Sequence, residues 1–234
     1  MTLRLRHGQS VAWLAAVLLF MAAGCSAAPA APTTYLLPWA AGSSHLVLQG
    51  NYTADALGHC LTGCGTHDDD SMRYAWDFDL PEGTEVVAAR AGTVALANGS
   101  WPAGHCGGVA PGQAGNVISE LVGNEANFVE IDHGDGTSAL YLHLSSVSEE
   151  IERKAKTGQA VVQGELLGLS GKTGYTQCSP HLHFQVQPSV KADWFTDSLS
   201  ISFADPDVTT RNPTGHPVEG DSYISANEPD LSGA

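Results

Sequence analysis

The sequence is poor in positive charge. Ten Lys and Arg stand against 25 Asp and Glu, a formal charge of -15 at pH 7. No basic run, and no interleaving of aromatic with basic residues, offsets that balance. A phosphate backbone is therefore a poor partner, and no nucleic-acid role is expected. Charge of either sign is scarce, at 15% of residues, while hydrophobic residues make up 43%. That composition excludes a disordered chain. The apolar stretch at residues 11–23 is only 13 residues long, too short to span a bilayer comfortably. No repeat of 20–50 residues is visible, which argues against a solenoid or propeller. Helical periodicity is almost absent too. What remains is many short alternating runs separated by turn residues, the pattern of an all-β domain with mainly antiparallel sheets, long loops and little helix. At 234 residues the chain supports one sizeable core.

The N-terminus reads as an export signal. Arg4, Arg6 and His7 precede the apolar stretch, which ends in Met21-Ala22-Ala23-Gly24-Cys25. That ending resembles a bacterial lipoprotein signal, in which Cys25 would be lipidated and become the first mature residue. Ala22 stands where that pattern usually has Leu, and cleavage within Ala27-Ala28-Pro29 is the alternative. Either route leads out of the cytoplasm, to the cell envelope. There the chain is lipid-anchored to a membrane, or else periplasmic or secreted. The other four cysteines then meet an oxidising compartment and allow three pairings. Cys60–Cys64 and Cys106–Cys178 are the expected bridges, the second pinning a long loop beside the His-rich strand. A zinc knuckle around His59, Cys60 and Cys64 lacks the spacing of a standard site. The expected organisation is a signal over 1–25, an Ala/Pro-rich tether over 26–44, the main domain over 45–204 and an extended C-terminal segment over 205–234. A monomer is expected.

Within the main domain, residues 46–48 read as a first strand. Residues 84–89 and 93–97 read as a hairpin around Arg90-Ala91-Gly92. Asp135-Gly136 between two alternating runs signals a second hairpin, over 127–132 and 137–144. In its second arm alternation puts Leu140, Leu142 and Leu144 on one face and Tyr141 and His143 on the other. Residues 98–125 read as a long loop, 149–156 as one charged helical turn and 199–203 as another strand. His133, in the hairpin turn, is expected to be exposed. Asp68, Asp69 and Asp70 lack calcium-loop spacing.

Ser179-Pro180-His181-Leu182-His183-Phe184-Gln185-Val186 reads as a strand with His181 and His183 on one face, about 7 Å apart. An isolated pair of this kind is most simply two solvated histidines. Two other strands change that. One, around Trp76-Asp77-Phe78, offers Asp77 opposite an apolar face. Another offers His143. If the apolar faces bury together, the polar side chains converge on one groove. Two His and a carboxylate with an open fourth position make a hydrolytic zinc site. An all-His site is equally compatible with these residues, so physics alone leaves the ligand set open.

The order of motifs resembles the LytM/lysostaphin-type zinc endopeptidases, peptidase family M23. Gly83-Thr84-Glu85-Val86-Val87-Ala88-Ala89 is similar to that family's G-T-P-V-x-A segment. Tyr141-Leu142-His143-Leu144 matches its Y-x-H-L. Gly171-Lys172-Thr173-Gly174, then Pro180-His181-Leu182-His183-Phe184, matches its G-x-T-G and P-H-L-H-F ending. The resemblance runs from about residue 67 to 186. It implies one Zn2+ per chain, with Asp77 and His183 as ligands and His181 and His143 acting on water and transition state. The family's usual first ligand lies four residues before the Asp, and here that residue is Arg73, which cannot bind zinc. Some members place it upstream, before a segment like Tyr74-Ala75-Trp76-Asp77-Phe78. His67 is then the candidate, with His59 its rival. Tyr175, in the loop before the His strand, is a candidate for lining the substrate groove. The implied activity is hydrolysis of peptide bonds in bacterial peptidoglycan. The alternatives are an inactive domain that binds peptidoglycan or activates an amidase, and a structural or redox lipoprotein that only binds metal.

Overall fold

Alternating residues become paired strands in a computed structural model that describes residues 34–51, 71–107, 125–189 and 194–229. Cys25, His59, Cys60, Cys64 and His67 lie outside the described residues, as do Asp68, Asp69, Asp70 and most of the 98–125 loop. The main sheet has eight strands. In spatial order they are β13 (Ser222–Ile224), β1 (Ser44–Gln49), β2 (Trp76–Phe78), β12 (Leu182–Pro188), β7 (Thr137–Leu144), β6 (Asn127–Asp132), β4 (Gly92–Asn98) and β9 (Ala160–Val161). Each of its strand pairs is antiparallel. A three-stranded sheet joins β3 (Glu85–Val87), β10 (Leu166–Leu169) and β8 (Ser146–Val147). A short parallel pair joins β5 (Cys106–Gly107) to β11 (Gly174–Tyr175). Two helices occur among the described residues, α1 (Glu149–Thr157) and α2 (Pro206–Arg211). The expected all-β class, with little helix, is the one found. None of the described helices is long and apolar enough to cross a membrane.

The core lies between the sheets. Trp76, Phe78, Tyr141 and Phe184 of the main sheet bury against Val86 and Leu167 of the smaller one, and against Ile151 of α1. These side chains are large and fully excluded from water, so hydrophobic transfer is the main term holding the sheets together. Phe128, Leu140 and Leu142 form a smaller cluster, with Trp194 and Phe195 packed on it. Leu140 and Leu142 cannot share the face of their strand neighbour Tyr141, so this cluster lies across the main sheet from the core.

The Asp-Gly hairpin forms as its sequence predicts, joining β6 to β7. Gly134 and Gly136 take φ of 73° and 91°, a region open to glycine without steric cost. Asp132 and Asp135 brace the turn by accepting from the amides of Gly134 and Thr137.

Other expectations are corrected. The runs at 84–89 and 93–97 are not a hairpin: β3 pairs with β10, while β4 pairs with β6 and β9. The residues between them cross from one sheet to the other, with Ala88 held by the Glu165 carbonyl and Ala89 by the Tyr141 hydroxyl. Gly92 does not take the left-handed φ that a tight hairpin turn needs. Residues 199–203 form no strand beyond an isolated bridge between Phe203 and Tyr35. β7 takes one edge of β12, and β2 takes the other only at residues 182–184. Beyond that the segment reaches the edge through the Leu199 amide, which donates to the Val186 carbonyl at 2.6 Å, and builds no ladder. The predicted charged turn is a full helix, α1, capped by the Ser148 hydroxyl and ended by Gly158 in the left-handed region. His133 is half-buried and bonds the Ala91 carbonyl; burial lowers its pKa. The C-terminal stretch carries α2 and the edge strand β13. Its buried Asp205 accepts from the amides of Leu37 and Ala226, tying the two ends of the described chain together.

Candidate functional site

β12 sits between β2 and β7, and its alternation sorts its side chains. Leu182, Phe184 and Val186 enter the core, and His183, Gln185 and Gln187 take the other face. Register then sets the neighbours: His183 lies opposite Asp77 of β2 and Leu142 of β7. Directly paired residues bring their side chains together, and His183 Nδ1 comes within 2.9 Å of Asp77 Oδ1. His181 Nε2 lies 3.9 Å from the same oxygen.

His143 arrives by a different route. Simple alternation would give it the face of Tyr141, which is buried in the core. Instead β7 carries one extra residue there. Asn127 pairs with Leu144 and Phe128 with Leu142, so His143 has no partner in β6. Its φ is 70°, left-handed and rare for a non-glycine residue. This β-bulge overturns the expected sharing of a face with Tyr141. It moves the imidazole to the site, with ring centres 4.8 Å from His181 and 6.0 Å from His183. Thr173 supports the bulge from outside the sheet: its hydroxyl bonds Leu144 and Asn127 and its carbonyl accepts from His143.

The hydrogen bonds fix each ring. His143 Nδ1 donates to the Thr173 carbonyl at 2.8 Å, and His181 Nδ1 donates to the Ser179 carbonyl at 2.9 Å. A carbonyl only accepts, so in each neutral ring Nε2 carries the lone pair. Burial pushes the His143 pKa well down, and the neighbouring His181 and His183 push it further. Its resting ring is neutral. His183 differs: its Nε2 donates to Gln185 Oε1 at 3.0 Å, so in the neutral ring Nδ1 carries the lone pair.

Among the described residues, no group of three or more His, Cys, Asp and Glu is disposed to hold a metal ion. The donor chemistry of Asp77 and His183 nevertheless fits one. A neutral His183 with its proton on Nε2 would turn a lone pair toward the Asp77 carboxylate oxygen, 2.9 Å from Nδ1. Two such electron pairs repel unless a positive charge sits with them, either a proton or a metal ion. An imidazole with a carboxylate is the N/O donor set zinc takes.

The rim of the site is built by loops. Cys106 and Cys178 are bridged, as expected, with a sequence separation of 72. The bridge joins β5 to the loop that enters the His strand. Tyr175 lies in β11, half-buried, paired with Gly107 beside this bridge. Lys172 pairs with Glu82 at 2.8 Å. His105 stacks on Trp101 and pairs with Glu125. On the other side Phe195 approaches His183, with ring centres 6.2 Å apart.

Sequence reasoning singled out four of the clustered residues: Asp77, His143, His181 and His183. It gave no role to Gln185, Gln187, Glu130 or the Thr173 carbonyl. Alternation alone could have flagged the two glutamines, which follow His183 at steps of two along the same face.

The model of peptidase family M23 matches residues 71–193, more than half of the sequence, and the chain belongs to that family. The Peptidoglycan DD-endopeptidase ShyA of Vibrio cholerae is 32% identical over 110 residues, 47% of this chain and 19% of its own length. Lysostaphin of Staphylococcus simulans is 33% identical over 115 residues, covering 49% and 18%. Among solved structures, the catalytic domain of the prophage-encoded M23 protein EnpA from Enterococcus faecalis aligns with 70% of this chain and 93% of its own. Its TM-score is 0.42 and its identity 18%. The chain spans about a fifth of the length of the curated relatives it matches.

Proposed function

We propose that the protein is a zinc-dependent endopeptidase of the bacterial cell envelope that cuts peptide bonds in peptidoglycan. The observation that carries the reading is the convergence of His183 and His181 on one Asp77 oxygen, at 2.9 and 3.9 Å, with His143 beside them. Membership of a peptidase family supports hydrolysis, and the peptidoglycan-directed name of one relative supports the substrate. The export signal and Cys25 support the location and a lipid anchor.

Asp77 Oδ1 and His183 Nδ1 would hold the zinc, with His67 as third ligand. The support for His67 is its place in the sequence, ten residues before Asp77. Bound zinc supplies a Lewis acid and brings the pKa of a coordinated water to about 7. His181 Nε2, a lone-pair nitrogen facing that centre, accepts the proton from water. His143 is neutral at rest with its proton on Nδ1, so its Nε2 has none to give. It stabilises a developing oxyanion or protonates the leaving amine only after receiving a proton within the cycle. Tyr175 and the bridged loop would flank the peptide.

The test is to incubate the mature protein with intact sacculi, with and without chelator, and to identify products by mass spectrometry. Muropeptides released only without chelator, and again after zinc is restored, are expected. Cleavage indifferent to chelator would overturn the metal reading. Zinc-loaded protein that releases nothing would leave a peptidoglycan-binding or amidase-activating domain.

A further inference from the structure

We propose that Gln185, Gln187 and Glu130 form a one-way hydrogen-bond chain that decides which nitrogen of His183 is presented to the metal. The proposal rests on the reading of Asp77 and His183 as zinc ligands. It concerns how the protein prepares one of them.

The direction of the chain follows from backbone groups that cannot turn over. Gln185 Nε2 lies 3.0 Å from the Thr196 carbonyl, so that end of the amide is the donor end. Gln185 Oε1 is therefore the end that faces His183 Nε2, and the imidazole must donate to it. The next link is fixed in the same way. Gln187 Oε1 accepts from the Thr196 amide at 3.1 Å, and Gln187 Nε2 donates to the Trp194 carbonyl at 2.9 Å. Gln185 Nε2 then donates to Gln187 Oε1 at 2.8 Å, and Gln187 Nε2 donates to Glu130 Oε1 at 3.3 Å. The Ser138 hydroxyl also donates to that carboxylate, at 2.6 Å. Each link donates toward Glu130, and both glutamine side chains are fully buried.

Such an arrangement does two things. It keeps the proton on His183 Nε2, leaving the Nδ1 lone pair beside Asp77. It also ends on a buried carboxylate, which polarises the intervening amides and makes Nδ1 a better electron donor. Gln185 is a positioning residue: it touches the ligand and neither the substrate nor the reacting atoms. Without it, His183 is free to place its proton on Nδ1 and donate to Asp77, which closes the metal half-site.

Three proteins test this: wild type, Gln185→Leu, which removes the acceptor, and Gln185→Glu, which keeps it. Gln185→Glu gives up donation to Thr196 and Gln187, so it separates ring orientation from packing. Zinc affinity is read by competition with a chromogenic chelator at pH 8, and the His183 tautomer from imidazole 15N shifts of the zinc-free protein. Gln185→Leu is expected to lose zinc affinity by about 10- to 100-fold and to move the proton to Nδ1. Gln185→Glu is expected to melt earlier than wild type yet bind zinc within about threefold of it. Should Gln185→Leu not fold, Gln185→Met, closer in shape, takes its place. Wild-type affinity in Gln185→Leu, or equal losses in both variants, overturns the chain. Wild type that binds no zinc overturns the metal reading beneath it.

Discussion

One face of β12 carries Leu182, Phe184 and Val186, the other His183, Gln185 and Gln187, and all six are buried to 3% exposure or less. The two faces share a backbone, a register and a depth, and differ in how burial is compensated. On the apolar face, transfer out of water is itself the stabilising term, and packing fills the space. On the polar face burial is unfavourable until each group finds a partner. There Thr196, Trp194, Glu130 and Asp77 supply the partners. Depth alone therefore does not separate core from site. What separates them is whether the partners run in a fixed order toward a reactive group.

The largest effect expected from breaking that contrast is on the polar side. His181→Ala should lower turnover on peptidoglycan by roughly 10²- to 10⁴-fold, while metal analysis still finds zinc. Full turnover would remove His181 from the mechanism. On the apolar side, Phe184→Ala should cost about 3–5 kcal/mol of stability, read by denaturant unfolding of the metal-free protein. A cost below about 1 kcal/mol would show that this face is not the core it resembles. Gln187→Leu should cost less than Phe184→Ala. It strands the Thr196 amide and the Trp194 carbonyl, and leaving a buried polar group unpaired costs about 1–3 kcal/mol. Stability unchanged by that substitution would mean those groups find partners elsewhere.

The smallest effect lies away from both faces, at Asp135. Hydrogen bonding from Thr137, together with the Arg90 guanidinium, holds its carboxyl down from 3.8 to about 2. Its pKa is lower folded than unfolded, so its contribution is present above about pH 4 and fades as pH falls toward 2. Its side chain is 46% exposed, and solvent screening keeps the pair within about 1 kcal/mol. The melting temperatures of Asp135→Asn and wild type should therefore differ by a few degrees at most at pH 6 and converge in acid.

The sequence made the local features readable. Period-two alternation marked β12 and its two faces, and Asp135-Gly136 marked the β6–β7 hairpin. Both are encoded within a few neighbouring residues. What escaped was set by distant partners. The runs at 84–89 and 93–97 look like two arms of one hairpin, but each is claimed by a strand far along the chain. Residues 199–203 have strand-like composition, yet they reach β12 through the Leu199 amide on the Val186 carbonyl and build no ladder there. At the site, alternation put Asp77, His181 and His183 together correctly and failed at His143. A single inserted residue reverses the parity of everything after it, and no local sequence signal announced the bulge.

That bulge sets two requirements against each other at one position. The left-handed backbone at His143 costs an ordinary L-residue roughly 1–2 kcal/mol, and asparagine tolerates it better than histidine does. A library screened for heat resistance alone would be expected to drift there toward His143→Asn, a residue at ease in that conformation and able to reach a nearby carbonyl. The drift would look like an improvement by every measure of folding. Only a turnover assay would reveal what had been exchanged, as in other proteins where stability and activity pull one residue in opposite directions.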